Sequence, residues 1–332
     1  MMAEAGDTAQ VDGDGPADAL AGLFAPHKSL PSWLLYDDAG CALYERITAL
    51  PEYYLPRAET DILAHQADAI LAQAAEPGVA LALAEIGAGT ATRTELLIAA
   101  ALRRQSKCVY LACDIAPAPL AAAASRLRGT FTGLEVRTFA GTHGDAGPAI
   151  AALTERQVLL FLGSSIGNDP DPKAGALLAA MRPWLRDDAR LVLGTDLKKD
   201  PRVLHAAYDD AQGVTAAFSL NLLARLNREY GCTFRLDAFR HVAEWDAAAA
   251  NIEIFLVAQG PQHVTIGELG RDIAFVDGER IHIETSAKYD AARVDRILAS
   301  GGFERVATFL DSAERYAIQL AQVAPTHRIP TT

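Results

Sequence analysis

Only four cysteines occur in 332 residues, Cys41, Cys108, Cys113 and Cys232, and no two form a C-x-x-C pair. A disulfide framework is therefore not expected; reduced thiols, acting as small buried hydrophobes in a cytoplasmic protein, are. No apolar run approaches the roughly 20 residues that span a bilayer, so no membrane role is expected. Positive charge is also scarce, with 30 Lys and Arg against 42 Asp and Glu and a formal charge of −12. A polyanion needs a Lys/Arg stripe; its lack leaves no nucleic-acid partner and makes small-molecule chemistry the default. The first 18 residues carry five acids and no Lys or Arg, unlike the basic start of a signal peptide, and residues 1–20 read as a disordered tail. Hydrophobic residues, by contrast, make up 50%, enough for one large or two closely packed domains.

Between about residues 60 and 200, helical and strand patterns alternate. Apolar strands are expected at "ALALAEIGAG", "KCVYLACDIA", "LEVRTFAG", "QVLLFLG" and "ARLVLGTDL", each separated by a segment of helical spacing. Repeated β-α units with apolar strands imply a parallel sheet covered by helices, with ligands beyond the carboxyl ends of the strands. The pattern changes near 200. A helix at "VTAAFSLNLLARLNREY" precedes segments that read as antiparallel strands, and Asp277-Gly278 between "IAFV" and "ERIHIET" signals a two-residue hairpin. The last segment reads as helix, strand, strand, and could return to the first sheet.

"AEIGAGTATRTELL" places Glu85, Gly87 and Gly89 at a strand-to-helix turn, where glycines let the backbone approach a ligand. Thr92 stands where a dinucleotide fingerprint needs its third glycine, which disfavours NAD. Asp114 ends the next strand, 25 residues beyond Gly89, where a carboxylate can accept bonds from both hydroxyls of a ribose. This combination looks like the S-adenosylmethionine site of class I methyltransferases. A plain tight turn at the glycines and a helix cap at Asp114 are the simpler alternatives.

"LLFLGSSIGNDPDP" admits two readings. Gly163-Ser164-Ser165-Ile166-Gly167 fits the G-x-S-x-G elbow of serine hydrolases, with Ser165 as nucleophile, an acid such as Asp196, and a histidine among His205, His241 and His282. The proline-broken "NDPDP" denies that serine its immediate helix and favours a strand end that offers Asn168 to a ligand. His282-Ile283-Glu284 resembles the H-x-E of zinc deaminases, but the P-C-x-x-C partner is missing, so no metal is expected. Strand alternation would put His282, Glu284 and Ser286 on one face, which from the residues alone reads as solvated.

Taken together, "YDDAGCALYERITALPEYYLPRAE", "EIGAGTATRTELL", "FLGSSIGNDPDP", "LGTDLKKDPRVLHAAYDD", "AAFSLNLLARLN" and "IHIETSAKY" resemble the histidine Nα-methyltransferases of ergothioneine biosynthesis, in the right order over about residues 30–325. The resemblance implies an α/β fold: a Rossmann-like class I methyltransferase domain with a mixed seven-stranded sheet (62–197 and 289–332), plus a second, α+β substrate-binding domain (21–61 and 198–288). It implies S-adenosylmethionine as cofactor, contacted by Gly87, Gly89, Arg93, Asp114 and Thr142. Tyr53, Asn168 and Tyr208 would hold the amino and carboxylate groups of the amino acid, with Tyr53 and Asn168 as the catalytic residues. Tyr36, Glu284 and Ser286 would read the imidazole, and Phe218 and Ile254 would wall the pocket, which reverses the solvated reading of the Glu284 face.

The implied product is the trimethylated betaine, hercynine, made by a cytoplasmic monomer. The chain departs from the family at Ile254, where Met is usual, at Ser219, where Asn is usual, and at "AGTHGDAG", where Thr142 or Asp145 stands in for a family acid. Tryptophan and prenylated tryptophan, which related enzymes methylate, are the competing substrates; Glu284 suits an imidazole better than an indole.

Overall fold

The structure, a computed structural model, describes residues 16–142 and 144–325. Its strands are β1 (Lys28–Ser29), β2 (Leu81–Ile86), β3 (Cys108–Asp114), β4 (Leu134–Ala140), β5 (Arg156–Phe161), β6 (Arg190–Asp196), β7 (Phe239–Asp246), β8 (Asn251–Ala258), β9 (Gln262–Ile266), β10 (Arg271–Phe275), β11 (Arg280–Ala287), β12 (Phe303–Leu310) and β13 (Tyr316–Val323). Its α-helices are α1 (Pro16–Ala21), α2 (Asp38–Thr48), α3 (Leu55–Ala74), α4 (Glu95–Arg104), α5 (Pro117–Thr130), α6 (Gly147–Ala151), α7 (Asp171–Met181), α8 (Pro201–Tyr208), α9 (Val214–Tyr230) and α10 (Ala291–Ser300). They divide between two compact units, one made of the residues up to Tyr54 with Lys199–Ser286, the other of Leu55–Lys198 with the residues from Ala287.

The second unit carries a seven-stranded sheet of order β12-β13-β6-β5-β2-β3-β4. β4, β3, β2, β5 and β6 run parallel, and β13 returns antiparallel between β6 and β12. Its central strands are largely apolar because helices cover both faces: all six residues of β2 are buried, Glu85 being the one charged residue among them. The core joins Ile86, Leu111, Leu159, Phe161 and Leu193 of the sheet to Leu178, Ile297 and Leu298 of α7 and α10. Burying one such side chain stabilises the fold by about 1.5–3 kcal/mol.

The first unit holds a four-stranded sheet, β1-β11-β8-β7, and a separate β9-β10 pair. Asp277-Gly278 does not make the expected hairpin: β10 pairs with β9, while β11 pairs with β1 in the other sheet. The turn serves another contact. Gly278 N–H donates to the Ala258 carbonyl and the Asp277 carboxylate accepts from Gly260 N–H, so both turn residues are spent on the end of β8.

The expectation of a disordered tail over residues 1–20 does not hold for residues 16–20, since α1 begins at Pro16 and buries Ala19 and Leu20; residues 1–15 lie outside the described residues. The division also falls at 54/55 rather than 61/62, since Leu55–Ala74 is one uninterrupted helix. None of the described helices is long and apolar enough to cross a membrane.

Candidate active site

In the seven-stranded unit, the site begins where β2 ends. Gly87 and Gly89 adopt φ of +71° and +51°, values that disfavour side chains, and a Cβ at either would meet no protein atom within 4 Å. Asp114, at the end of β3, accepts from Gly89 N–H at 2.7 Å and from Ala116 N–H at 2.9 Å. The carboxylate thus braces the glycine turn and the start of α5 together, and each of its oxygens keeps a second lone pair. Thr142, beyond β4, donates its hydroxyl to Asp145 at 2.6 Å, so these two form one polar turn.

Behind the turn lies Glu85, 4% exposed, accepting from the Thr94 hydroxyl and the Tyr110 phenol. Burial, opposed by those two hydrogen bonds, pushes its pKa up to about 7. An acid whose folded pKa exceeds its unfolded value holds a proton in the folded state that the unfolded chain has lost. Stability should therefore fall as pH rises from about 4.5 to 7, by up to about 3 kcal/mol. Melting curves of wild type and Glu85→Gln from pH 5 to 8 should show the wild type losing ground steadily; parallel curves would contradict this.

The loop after β5 is clamped in three places. Gly163 N–H donates to Glu59 at 2.7 Å, the Ser164 hydroxyl accepts from Asp196 N–H at 2.9 Å, and Gly167 N–H donates to the Ser164 carbonyl. Asp196 is itself paired at 2.9 Å with Lys288, both fully buried. The left-handed backbone falls on Ser164 (φ +59°), not Ser165. The Ser165 hydroxyl donates to the Leu162 carbonyl of its own turn, and no α-helix follows until Asp171. The candidate histidines are engaged elsewhere: His241 with Ser219 and the Tyr208 carbonyl, His282 with Glu253, His205 near Asp209. The hydrolase alternative is thereby overturned. Asn168 ends this clamped loop half-buried, its carboxamide making no hydrogen bond among the described residues.

In the other unit the aromatic residues form a chain of ring contacts. Phe218 meets Tyr36 at 5.5 Å, Tyr36 meets Tyr44 at 5.7 Å, Tyr44 meets Tyr53 at 6.5 Å, and Tyr53 meets Tyr208 at 5.9 Å, centroid to centroid. Tyr208 and Ser286 share a hydrogen bond of 2.7 Å between hydroxyls. Asp37 fixes the frame: it caps α2 through Gly40 N–H and accepts from Asn221 and Arg228 of α9, so the helices bearing Tyr44 and Phe218 are tied at one carboxylate. Tyr36 keeps 37% of its surface open, yet desolvation and then the Glu284 carboxylate push its phenol well above the usual pKa.

Burial does the same for Tyr53. Ile254 is buried in β8, opposite Ala243.

Strict alternation fails along β11. His282 and Thr285 both reach one oxygen of Glu253 at 2.7 Å and lie 3.2 Å from each other, so His282 does not share a simple face with Glu284 and Ser286. The nearby Glu253 carboxylate captures the imidazole.

The profile of a family described as "Histidine-specific methyltransferase, SAM-dependent" matches residues 16–323. The chain belongs to that family. The histidine N-alpha-methyltransferase of Mycobacterium tuberculosis is 38% identical over 92% of this chain and 93% of its own. Ergothioneine biosynthesis protein 1 of Schizosaccharomyces pombe is 28% identical over 90% of this chain and 40% of its own, and the 4-dimethylallyltryptophan N-methyltransferase of Claviceps purpurea is 24% identical over 87% and 89%.

The residues of this methyltransferase fit its cofactor, S-adenosylmethionine. The space above the Gly87–Gly89 turn is open, and Asp114 stands at its edge with free lone pairs on a pre-set carboxylate. Arg93, just before α4, has 35% of its side chain exposed while its Nε–H is bonded to Glu59. Two participants escaped the sequence reading. Tyr44, the hub of the aromatic chain, sits in the quoted "YDDAGCALYERITAL" eight residues after Tyr36, and its helical position was the available signal. Glu59 gave none, because its partners are remote in sequence.

Proposed function

We propose that this methyltransferase transfers methyl groups from S-adenosylmethionine to the α-amino group of L-histidine, ending at the trimethylated betaine. The substrate-side arrangement carries the choice of amino acid: Glu284 and Ser286 come from one strand, with the carboxylate close to the Tyr36 phenol and the hydroxyl bonded to Tyr208. Phenols, a carboxylate and a hydroxyl suit a ring with two polar nitrogens better than an indole, which has a single donor.

When bound, S-adenosylmethionine supplies an electrophilic methyl on a cationic sulfur. Gly87, Gly89, Asp114, Arg93 and Thr142 would hold it. Asn168, Tyr53 and Tyr208 would hold the amino acid's head group, and positioning of this kind is worth about 7–11 kcal/mol in well-aligned systems. Tyr53 does not act as a base at neutral pH, since its buried phenol stays protonated; it orients the substrate by hydrogen bonding. The attacking amine, an α-amino group of the kind that titrates at about pH 8 in peptides and higher in a free zwitterion, loses its proton to solvent. Asn168 is neutral and fixes no ammonium charge, which permits successive transfers. The remaining parts of the reading are a cytoplasmic monomer with no membrane partner and no nucleic-acid partner, the last supported by a net charge of −12.

Incubation with S-adenosylmethionine and each amino acid in turn, followed by mass spectrometry, tests the proposal. Histidine should gain one, two and then three methyl groups. Methylation of tryptophan in preference to histidine, or none at all, would refute it.

A further inference from the structure

We propose that Glu59 is a positioning residue that divides its two carboxylate oxygens between the cofactor arginine and the substrate loop. The proposal rests on the assignments of Arg93 to the cofactor and Asn168 to the amino acid made above. Glu59 projects from α3 and is 1% exposed. Its Oε2 accepts from Arg93 Nε at 2.5 Å; its Oε1 accepts from Gly163 N–H and from the Tyr316 phenol, each at 2.7 Å. Gly163 opens the clamped loop that ends at Asn168. One buried anion therefore touches both the arginine just before α4 and the opening of the substrate loop.

The fold reserves room for this junction. A Cβ on Gly194 of β6 would stand 2.2 Å from the Tyr316 hydroxyl, 2.9 Å from Glu59 Oε1 and 3.2 Å from Gly163 N, so any side chain there would break the cluster. Burying a carboxylate is costly unless it is paired and fully hydrogen-bonded. A helix-to-sheet staple could be made by an apolar side chain at less cost. A charge held by one cation and two neutral donors instead fixes direction: the Arg93 guanidinium is anchored at Nε and passes 3.8 Å from the Gly163 Cβ position at its far nitrogen.

Glu59→Gln separates this role from packing. A carboxamide has one oxygen; two donors meet at the Oε1 place against one at Oε2, so the amide oxygen keeps Gly163 and Tyr316 while its NH2 faces the Arg93 Nε–H. Calorimetric titration of S-adenosylhomocysteine should show its Kd rising about 10- to 100-fold, as loss of a bond to a charged group implies, with the histidine KM within about threefold of wild type. Arg93→Ala should weaken binding at least as much, and the double variant no further. Equal affinity of Glu59→Gln and wild type, or additive losses in the double variant, would overturn the proposal.

The wild-type protein gives an independent test should the variant fail to fold. On titration with S-adenosylhomocysteine, the NMR signals of the Arg93 Nε–H and the Gly163 amide should shift together; a shift in neither would overturn the assignment. If wild type does not bind S-adenosylhomocysteine at all, it is the cofactor reading that fails.

Discussion

Asn168→Ala should lower kcat by about 10²- to 10³-fold, the usual loss when a polar group that positions the reacting centre is removed, with S-adenosylhomocysteine binding little changed. The loop around it is held by Gly163 N–H to Glu59, Ser164 to Asp196, and Gly167 to Ser164, none of which uses the Asn168 side chain. The loop should therefore survive the truncation, and stability should stay within about 0.5 kcal/mol of wild type. Steady-state kinetics beside a melting curve check both parts. Asn168→Asp sharpens the test: a carboxylate near the amine would stabilise its ammonium form, so residual activity should move to higher pH. Near-normal turnover in the alanine variant would remove Asn168 from the chemistry.

Glu284→Ala should raise the histidine KM about 10- to 100-fold, the loss expected for one charge-assisted hydrogen bond, while the KM for S-adenosylmethionine moves little. The carboxylate is half-buried and close enough to Tyr36 to raise the pKa of its phenol, and the proposed assignment has this position address the amino acid's side chain and not its head group. Preference for histidine over tryptophan should shrink in the same variant, measured by competition between the two. Equal rises in both KM values would refute the imidazole assignment.

The sheet was readable because its signal is local. β2, β3 and β5 are mostly apolar runs with polar residues near their ends, and only a strand covered on both faces needs so many apolar residues in succession. Gly87, Gly89 and Asp114 were readable for a related reason: glycine at a strand end and an acid at the next strand end report backbone conformations that few residues serve. The Asp277-Gly278 turn shows the limit. Its dipeptide specifies a tight reversal, and a reversal forms, but the choice of partner strand belongs to edges elsewhere in the chain.

His282 illustrates the same limit at one residue. Alternation assigned it beside Glu284, whereas Glu253, 29 residues away, offered a carboxylate and took its imidazole. Glu59 went unread because its three partners lie 34, 104 and 257 residues from it. By itself, then, the sequence determined the alternating α/β unit, the change of pattern near residue 200, and the glycine and acid placements at strand ends, since each is set by neighbours along the chain. Tertiary structure alone decided which strands pair, which tyrosines meet, and which buried carboxylate joins Arg93 to the Gly163 loop. Those contacts depend on segments far apart in sequence, and their free energy exists only once the core has brought them together.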